Sequence, residues 1–232
     1  MTPDVVNAAT VLSNGVAPGE FVSVTGFGIG PENGAVYQPG PQGQAPLALG
    51  GVRVLFDGNP APVIYAQSRQ VNALVPFEIG GSTTAVSLVY NGVTFGPVSM
   101  PVHPADPAIF RLHPGASTQA AALNQDGTMN GPSNPASPGS VVAIFGTGFG
   151  STSPPCATGG LNAPAAVNLA LGPVTVNNGA AGVQYAGGAP TLLCGVVQID
   201  LAVPMQAPPG PFLLSIRTGT AVSAIGATIT VK

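Results

Sequence analysis

The chain repeats itself, and that feature limits its possible folds more than any other. Residues 18–31 read PGEFVSVTGFGIGP and residues 138–151 read PGSVVAIFGTGFGS. Gly19, Gly26, Gly28 and Gly30 match Gly139, Gly146, Gly148 and Gly150. LALGGVRV at 47–54 aligns with LALGPVTV at 169–176, PVIYA at 62–66 with GVQYA at 182–186, and QVNALVP at 70–76 with QIDLAVP at 198–204. The order never changes, and the offset moves only from 120 to 122, back to 120, then to 128. Chance does not produce four ordered blocks. The reading is two homologous domains, 1–104 and 119–232, joined by a Pro-rich connector at 105–118.

Composition decides what kind of domain repeats. Among 232 residues there are 33 Gly, 26 Pro and only 5 basic and 8 acidic side chains. Collagen needs glycine at every third position, and no such period exists. A long helix needs abundant Glu, Lys and Arg. Charge-driven disorder does not fit a net charge of −3 with 45% apolar residues. What remains is an all-β protein rich in turns.

Short β-prone runs recur at regular spacing. Phe21–Thr25 and Val141–Phe145 end in glycines, and Val52, Val54 and Phe56 alternate toward one face. Asp57-Gly58 and Asn91-Gly92 are hairpin signals. Pro76 stops the strand Val71–Val75. In copy two, Phe212–Arg217 turns at Thr218-Gly219, and Ile225, Ala227, Ile229 and Val231 alternate to the end. Six or seven strands per hundred residues predict two tandem immunoglobulin-like β-sandwiches. Pro104, Pro107 and Pro114 make the connector a stiff spacer. Ile109 and Phe110 within it are expected to pack on one domain or in the cleft between the two.

The residues PGEFVSVTGFG with NALVP in copy one, and PGSVVAIFGTGFG with DLAVP in copy two, resemble the IPT/TIG branch of immunoglobulin-like domains. Residues 120–150, AAALNQDGTMNGPSNPASPGSVVAIFGTGFG, are similar to an uncharacterised C-terminal domain family of large secreted acidobacterial proteins. The resemblance implies extracellular or cell-surface placement at the end of longer, varied proteins, and it brings no catalytic residues. This sequence lacks the basic loop of DNA-contacting relatives, and it has no Trp for stacking on sugars.

Candidate sites are few. Cys156 and Cys194 both occur only in copy two, and Cys194 lies in an insertion that copy one lacks. Joint presence predicts a disulfide closing 38 positions, worth about 4 kcal/mol by loop entropy; the alternative is two separate buried thiols. A disulfide would fit an oxidising compartment. The clusters GFGIG and GTGFG look like pieces of a dinucleotide fingerprint, but no helix follows to receive a pyrophosphate. They read instead as bends where a strand leaves its sheet. His103, His113 and Asp106 are spaced too widely in an extended segment to predict a metal site, and no G-x-S-x-G elbow exists for a hydrolase. Asp57 and Asp126 precede glycines and read as turn residues. Tyr65 and Tyr185 hold equivalent places in the repeat; with Tyr37 in the first long loop, they are the weak ligand-contact candidates.

The five basic residues are scattered, which argues against nucleic acid. No apolar run is long enough for a membrane helix. Met1-Thr-Pro-Asp has neither the basic start nor the apolar stretch of a signal peptide, so a mature fragment or a piece cut from a larger precursor is expected. The leading expectation is a non-catalytic extracellular or cell-surface module, with no cofactor and no metal. It would act as spacer or interaction unit at the C-terminus of a larger secreted protein, and its partner would be a protein or polysaccharide. Contacts are expected in the paired loops Gly30–Leu47 and Gly150–Leu169, or by strand addition at an open edge. The alternative is a carbohydrate-binding accessory module, to be tested at Tyr37. A third reading is a hydrolase dependent on His103.

Overall fold

The computed structural model describes residues 2–39, 43–113, 117–165, 167–224 and 226–232. Pro114 of the connector and Ile225 of the last alternating run lie outside the described residues. The chain is all-β: a single 3₁₀ turn at Asn177–Gly179 is the helical element among the described residues.

The first half contains β1 (Asp4–Asn7), β2 (Phe21–Thr25), β3 (Ala35–Val36), β4 (Val52–Phe56), β5 (Asn59–Ala61), β6 (Val63–Gln67), β7 (Gln70–Leu74), β8 (Thr83–Tyr90) and β9 (Val93–Pro101). They form two antiparallel sheets, β1-β2-β7-β6-β3 and β5-β4-β8-β9. Val52, Val54 and Phe56 point inward as their alternation requires, and they meet Val22, Val24, Val71 and Ala73 of the facing sheet in one buried cluster. Asp57 and Asn91, at φ 50° and 48°, make the expected glycine-assisted hairpin turns.

The second half contains β10 (Ala108–Ile109), β11 (Ala122–Asn124), β12 (Val141–Thr147), β13 (Thr152–Ser153), β14 (Val167–Leu169), β15 (Val174–Val176), β16 (Gly182–Gly188), β17 (Val197–Ala202), β18 (Gly210–Leu214), β19 (Ile216–Thr218), β20 (Ala221–Val222) and β21 (Ala227–Val231). The larger layer runs β10-β12-β17-β16-β14-β13, with β11 also pairing β12; β15-β19-β20 and β18-β21 supply the opposing strands. A separate buried cluster, including Ile144, Ile199, Leu201, Leu214, Ile216 and Ile229, fills this half.

The repeat extends to hydrogen-bond register. Phe21 pairs with Leu74 and Val24 with Val71; at the same offsets Val141 pairs with Ala202 and Ile144 with Ile199. A β-bulge between Val63 and Tyr65 recurs between Val183 and Tyr185.

Ile109 of the connector packs on the second domain as expected, and Ala108 and Ile109 also pair with Thr147 and Gly146 as an edge strand of its sheet. One segment differs from the sequence reading. The last hairpin of copy two, expected as one continuous pair, breaks at Ser215. The Asn177 side chain enters the gap, accepting from the Ser215 amide at 2.8 Å and donating to the Leu213 carbonyl at 2.8 Å. Beyond the break, the Ser223 hydroxyl accepts from the Ile216 amide at 2.9 Å. Side chains thus replace the ladder bonds that a continuous pair would have made.

Two separate cores make a checkable claim. Phe56 is fully buried, so Phe56→Ala should cost about 3–5 kcal/mol by lost burial and cavity formation. Urea unfolding followed by circular dichroism measures the loss. Exchange-protected amides should fall first in residues 4–101 and persist longer in the second half.

Candidate functional site: the junction of the two sandwiches

The outward face of the first domain's β1-containing sheet explains where the chain is built for contact. A half-exposed strand alternates buried and open positions. In β2, however, Phe21, Val22, Ser23 and Val24 are all buried. Val22 and Val24 face their own core, whereas Phe21 and its partner Leu74 belong to neither core cluster and are covered by the second domain. At the equivalent outward positions, copy two carries the smaller Val141 and Ala202, both only half-buried.

The covering groups come from the connector, the second long loop and the insertion peculiar to copy two. Phe110 meets Phe21 edge to face, with ring centroids 6.2 Å apart. Thr147 is fully buried and accepts from the Phe21 amide at 2.9 Å. Thr158 accepts from the Phe77 amide at 2.9 Å and donates to the Glu78 carboxylate at 2.7 Å. The Ala45 amide donates to the Gly159 carbonyl at 2.8 Å, so the two long loops meet. Gly195 lies so close to Gly19 that a β-carbon there would sit 2.3 Å from the Gly19 carbonyl oxygen. Gly148 has φ +78°, and a β-carbon there would sit 2.0 Å from the Asp106 carbonyl oxygen. The glycine cluster therefore serves a bend and a close approach, and no helix follows it.

Cys156 and Cys194 are disulfide-bonded, with Cα atoms 5.9 Å apart. The bond ties the loop after β13 to the insertion before β17. Between them sits Asn162, buried and donating to the Leu193 and Val196 carbonyls at 3.2 and 3.1 Å. The Cys194 amide donates to Gly160 and the Asn162 amide to Leu192, each at 2.8 Å. Sequence reading located the insertion and the cysteine pair but missed Asn162, which looks like any loop asparagine.

A second missed residue is Glu20. Its side chain is fully buried where copy two has Ser140. Oε2 accepts from the Ala17 amide at 2.7 Å, while Oε1 has no well-formed hydrogen bond. Burial holds its carboxyl well above the usual range, and the charge of Asp106 pushes the same way; the Ala17 amide and the Asn7 side chain offset part of this. Asp106 is itself raised by burial, with His103 and Asn7 pulling it back. An acid in the opening residues of a strand reads as solvent-facing from sequence, and only docking of the second domain buries it.

The remaining sequence candidates do not converge. His103 Nε2 lies 3.1 Å from the Asn14 carbonyl oxygen, and His113 is exposed. Among the described residues no group of three or more His, Cys, Asp or Glu is placed to hold a metal ion. Asp57 accepts from Thr84 and the Ala85 amide, and Asp126 from Thr128; both carboxyls are held below the usual range by those bonds. Tyr65 donates to Gln67 at 2.5 Å and Tyr185 to the Gly188 carbonyl at 2.7 Å, each beside its own bulge. Tyr37 alone of the three tyrosines lines the junction, its hydroxyl bonded to the Gly43 carbonyl. The Asn-rich run from Asn124 to Asn134 is satisfied by protein partners: buried Asn130 donates to Asn124 and the Thr230 carbonyl and accepts from Gln119 and the Thr230 amide.

Where cover is incomplete, a cleft of about 500 Å³ remains. Its floor is Phe21, Ile64 and Asn72 of the first sheet, with Tyr37 at one side; Phe110, Leu161, Leu192 and Leu193 form the opposite wall. The fold and this cleft define the class: a two-domain immunoglobulin-like β-sandwich protein with an apolar interdomain cleft.

No family model matches the chain, and no curated protein does. Among solved structures it is similar to SGBP-B of the Bacteroides ovatus mixed-linkage glucan utilization locus, solved with a mixed-linkage heptasaccharide. Identity is 12% and TM-score 0.37, covering 100% of this chain and 46% of that one. It is also similar to domains 5–6 of the S-layer protein SbsC, at 12% identity and TM-score 0.30, covering 100% and 96%. The chain thus spans less than half the length of the first of these. Such distant likenesses carry no residue-level correspondence.

Two outcomes follow for the junction. Folding raises the Glu20 pKa above its ordinary 4.5, so its stabilising contribution is full below that value and is lost as pH rises through the folded pKa. Glu20→Gln imitates the protonated acid. It should melt higher than the parent at about pH 8 and alike at about pH 4, measured by thermal circular dichroism. Replacing both Cys156 and Cys194 by Ala should cost about 2–4 kcal/mol in denaturant unfolding.

Proposed function

We propose that this chain is a non-catalytic extracellular or cell-surface module of the IPT/TIG-like kind, holding two sandwiches as one rigid spacer and interaction unit at the C-terminus of a larger secreted protein. The observation that carries the proposal is the disulfide-stapled insertion. It is peculiar to copy two, and with its partner loop it docks on the first domain through Thr158, Gly159 and Gly195. A tether needs none of this; a fixed geometry does.

Other features agree. A disulfide persists in an oxidising compartment. His103 bonds a backbone carbonyl, and Glu20 is buried at a covered junction where the charge of Asp106 acts on it. None of these groups is arranged as a nucleophile with its base. Among the described residues no helix is long and apolar enough to cross a membrane. The partner on this reading is a protein or polysaccharide of the cell envelope or extracellular space. The carbohydrate-binding alternative has one feature in its favour, the aromatic side chains Phe21, Tyr37 and Phe110 around the cleft. Saturable binding on a glycan array, abolished by Tyr37→Ala, would support that alternative.

Small-angle X-ray scattering tests the rigid unit. The oxidised protein should scatter as one fixed arrangement, described by a single set of domain positions. The variant with both cysteines replaced by Ala should show a larger radius of gyration and need several arrangements. Equal flexibility of the oxidised protein and the variant would defeat the proposal.

A further inference from the structure

We infer that the interdomain cleft is a binding site for a neutral, largely apolar small molecule carrying a hydrogen-bond acceptor at one end. The inference rests on the fixed domain pairing proposed above and adds the ligand's chemistry. The cleft's volume of about 500 Å³ falls in the usual range for small-molecule sites. Among the described residues no charged side chain lines it. That excludes an ionic ligand, which would lose its hydration without receiving a counter-charge. Phe21, Phe110 and Ile64 offer ring and aliphatic surface to an apolar body.

Polar selectivity comes from Asn72. Its Oδ1 is occupied by the Ser23 hydroxyl at 3.0 Å and by Gln70 Nε2 at 2.8 Å. The Nδ2 donor has no protein partner among the described residues, and it belongs to a residue of the cleft floor. A carbonyl, ester or ether oxygen satisfies it.

The rim supplies an independent observation. Thr191 sits at φ 65°, a left-handed conformation that is a genuine outlier for a β-branched residue. Such strain persists only where the surroundings enforce it, and it clusters at functional sites. Here the Thr191 amide donates to the Asn162 carbonyl at 3.2 Å, while the Asn162 amide donates to Leu192. The strained turn thereby holds Leu192 at the rim, 43% exposed, beside Leu161 at 41%. Two adjoining leucines kept half in water at the mouth of an apolar cleft leave surface for an occupant to cover.

The test uses prodan, a neutral naphthalene dye with a terminal ketone, titrated into the oxidised full chain. Saturable one-to-one binding with blue-shifted emission is expected. The same dimethylaminonaphthalene without its ketone should bind about three- to tenfold more weakly, the worth of one hydrogen bond. Anilinonaphthalene sulfonate, an anion, should bind far more weakly than prodan. Leu192→Glu, at an exposed rim position, should weaken prodan binding at least about tenfold. Leu213→Glu, on the exposed face of β18, should leave it unchanged. Leu161→Glu repeats the rim test should Leu192→Glu fail to fold. Non-saturable partitioning, equal affinity for the anion, or unchanged affinity in the folded rim variants would overturn the inference. Because scattering measures rigidity separately, loss of prodan binding in a rigid protein would count against the ligand and not against the rigid unit.

Discussion

Everything distinctive about this molecule depends on the desolvation of one sheet face. Phe21 and Leu74 stand side by side on the outward face of the first domain, where a solitary sandwich would carry polar residues. Their apolar area stabilises the protein only if something covers it. The second domain does so with Phe110, Thr147 and the insertion around Gly195. Once that cover is in place, the backbone groups at its edge lose water and need partners. Thr147 supplies one to the Phe21 amide and Thr158 one to the Phe77 amide. The same exclusion of water raises the Glu20 carboxyl. Packing, hydrogen bonding and proton affinity at the junction share one cause.

The two sandwiches are alike in register and bulge and unlike in their outward faces. Register and bulge survive in both copies because slipping a strand by one residue would turn its core side chains into water. The outward positions carry no such constraint, and there the copies part: Phe21 and Leu74 against Val141 and Ala202, Glu20 against Ser140. The contact therefore joins unlike surfaces. Contacts of that kind go on adding copies unless geometry closes them. The insertion, present only in the second copy, makes the pairing one-sided. The first domain has no equivalent segment with which to grip a further copy.

How far the sequence could be read follows from the range of each interaction. Local signals were legible: the Asp57-Gly58 and Asn91-Gly92 turns, the inward Val52, Val54 and Phe56, and the glycine bends. The repeat predicted two sandwiches, and the two cysteines unmatched in copy one, Cys156 in the long loop and Cys194 in the insertion, predicted the disulfide. Illegible features were set by groups far away in the chain. Ser215 breaks its strand because Asn177 fills the gap, 38 residues earlier. Glu20 is packed against residues more than a hundred positions later, such as Gly148, where a β-carbon would meet the Glu20 side chain at 3.6 Å. Phe21 looks like a core residue in sequence, and only its register opposite Leu74 shows that it faces outward. Of the tyrosine candidates, Tyr37 reaches the cleft because its amide is fixed to the Ile64 carbonyl at 2.8 Å. Tyr65 and Tyr185 share a repeat position and share its fate, tied along their own strands.

The cleft itself follows from covering a twisted sheet with irregular loops. Adjacent strands rotate relative to one another, and the opening lies over three neighbouring strands, with Phe21 of β2, Asn72 of β7 and Ile64 of β6 as its floor. The bulge after Val63 widens the gap by adding Ile64 to the floor. Closing it would have required only a larger side chain or a longer insertion. Instead the chain spends conformational strain at Thr191 and leaves Leu161 and Leu192 partly in water. Both choices disfavour the empty state, and neither improves the fit of one domain on the other. A left-handed β-branched residue also occurs at Val11, away from the cleft, so strain alone marks no site; this opening is set apart because its strained turn holds exposed leucine beside an apolar cleft of Phe21, Phe110 and Ile64, surface left for an occupant to cover.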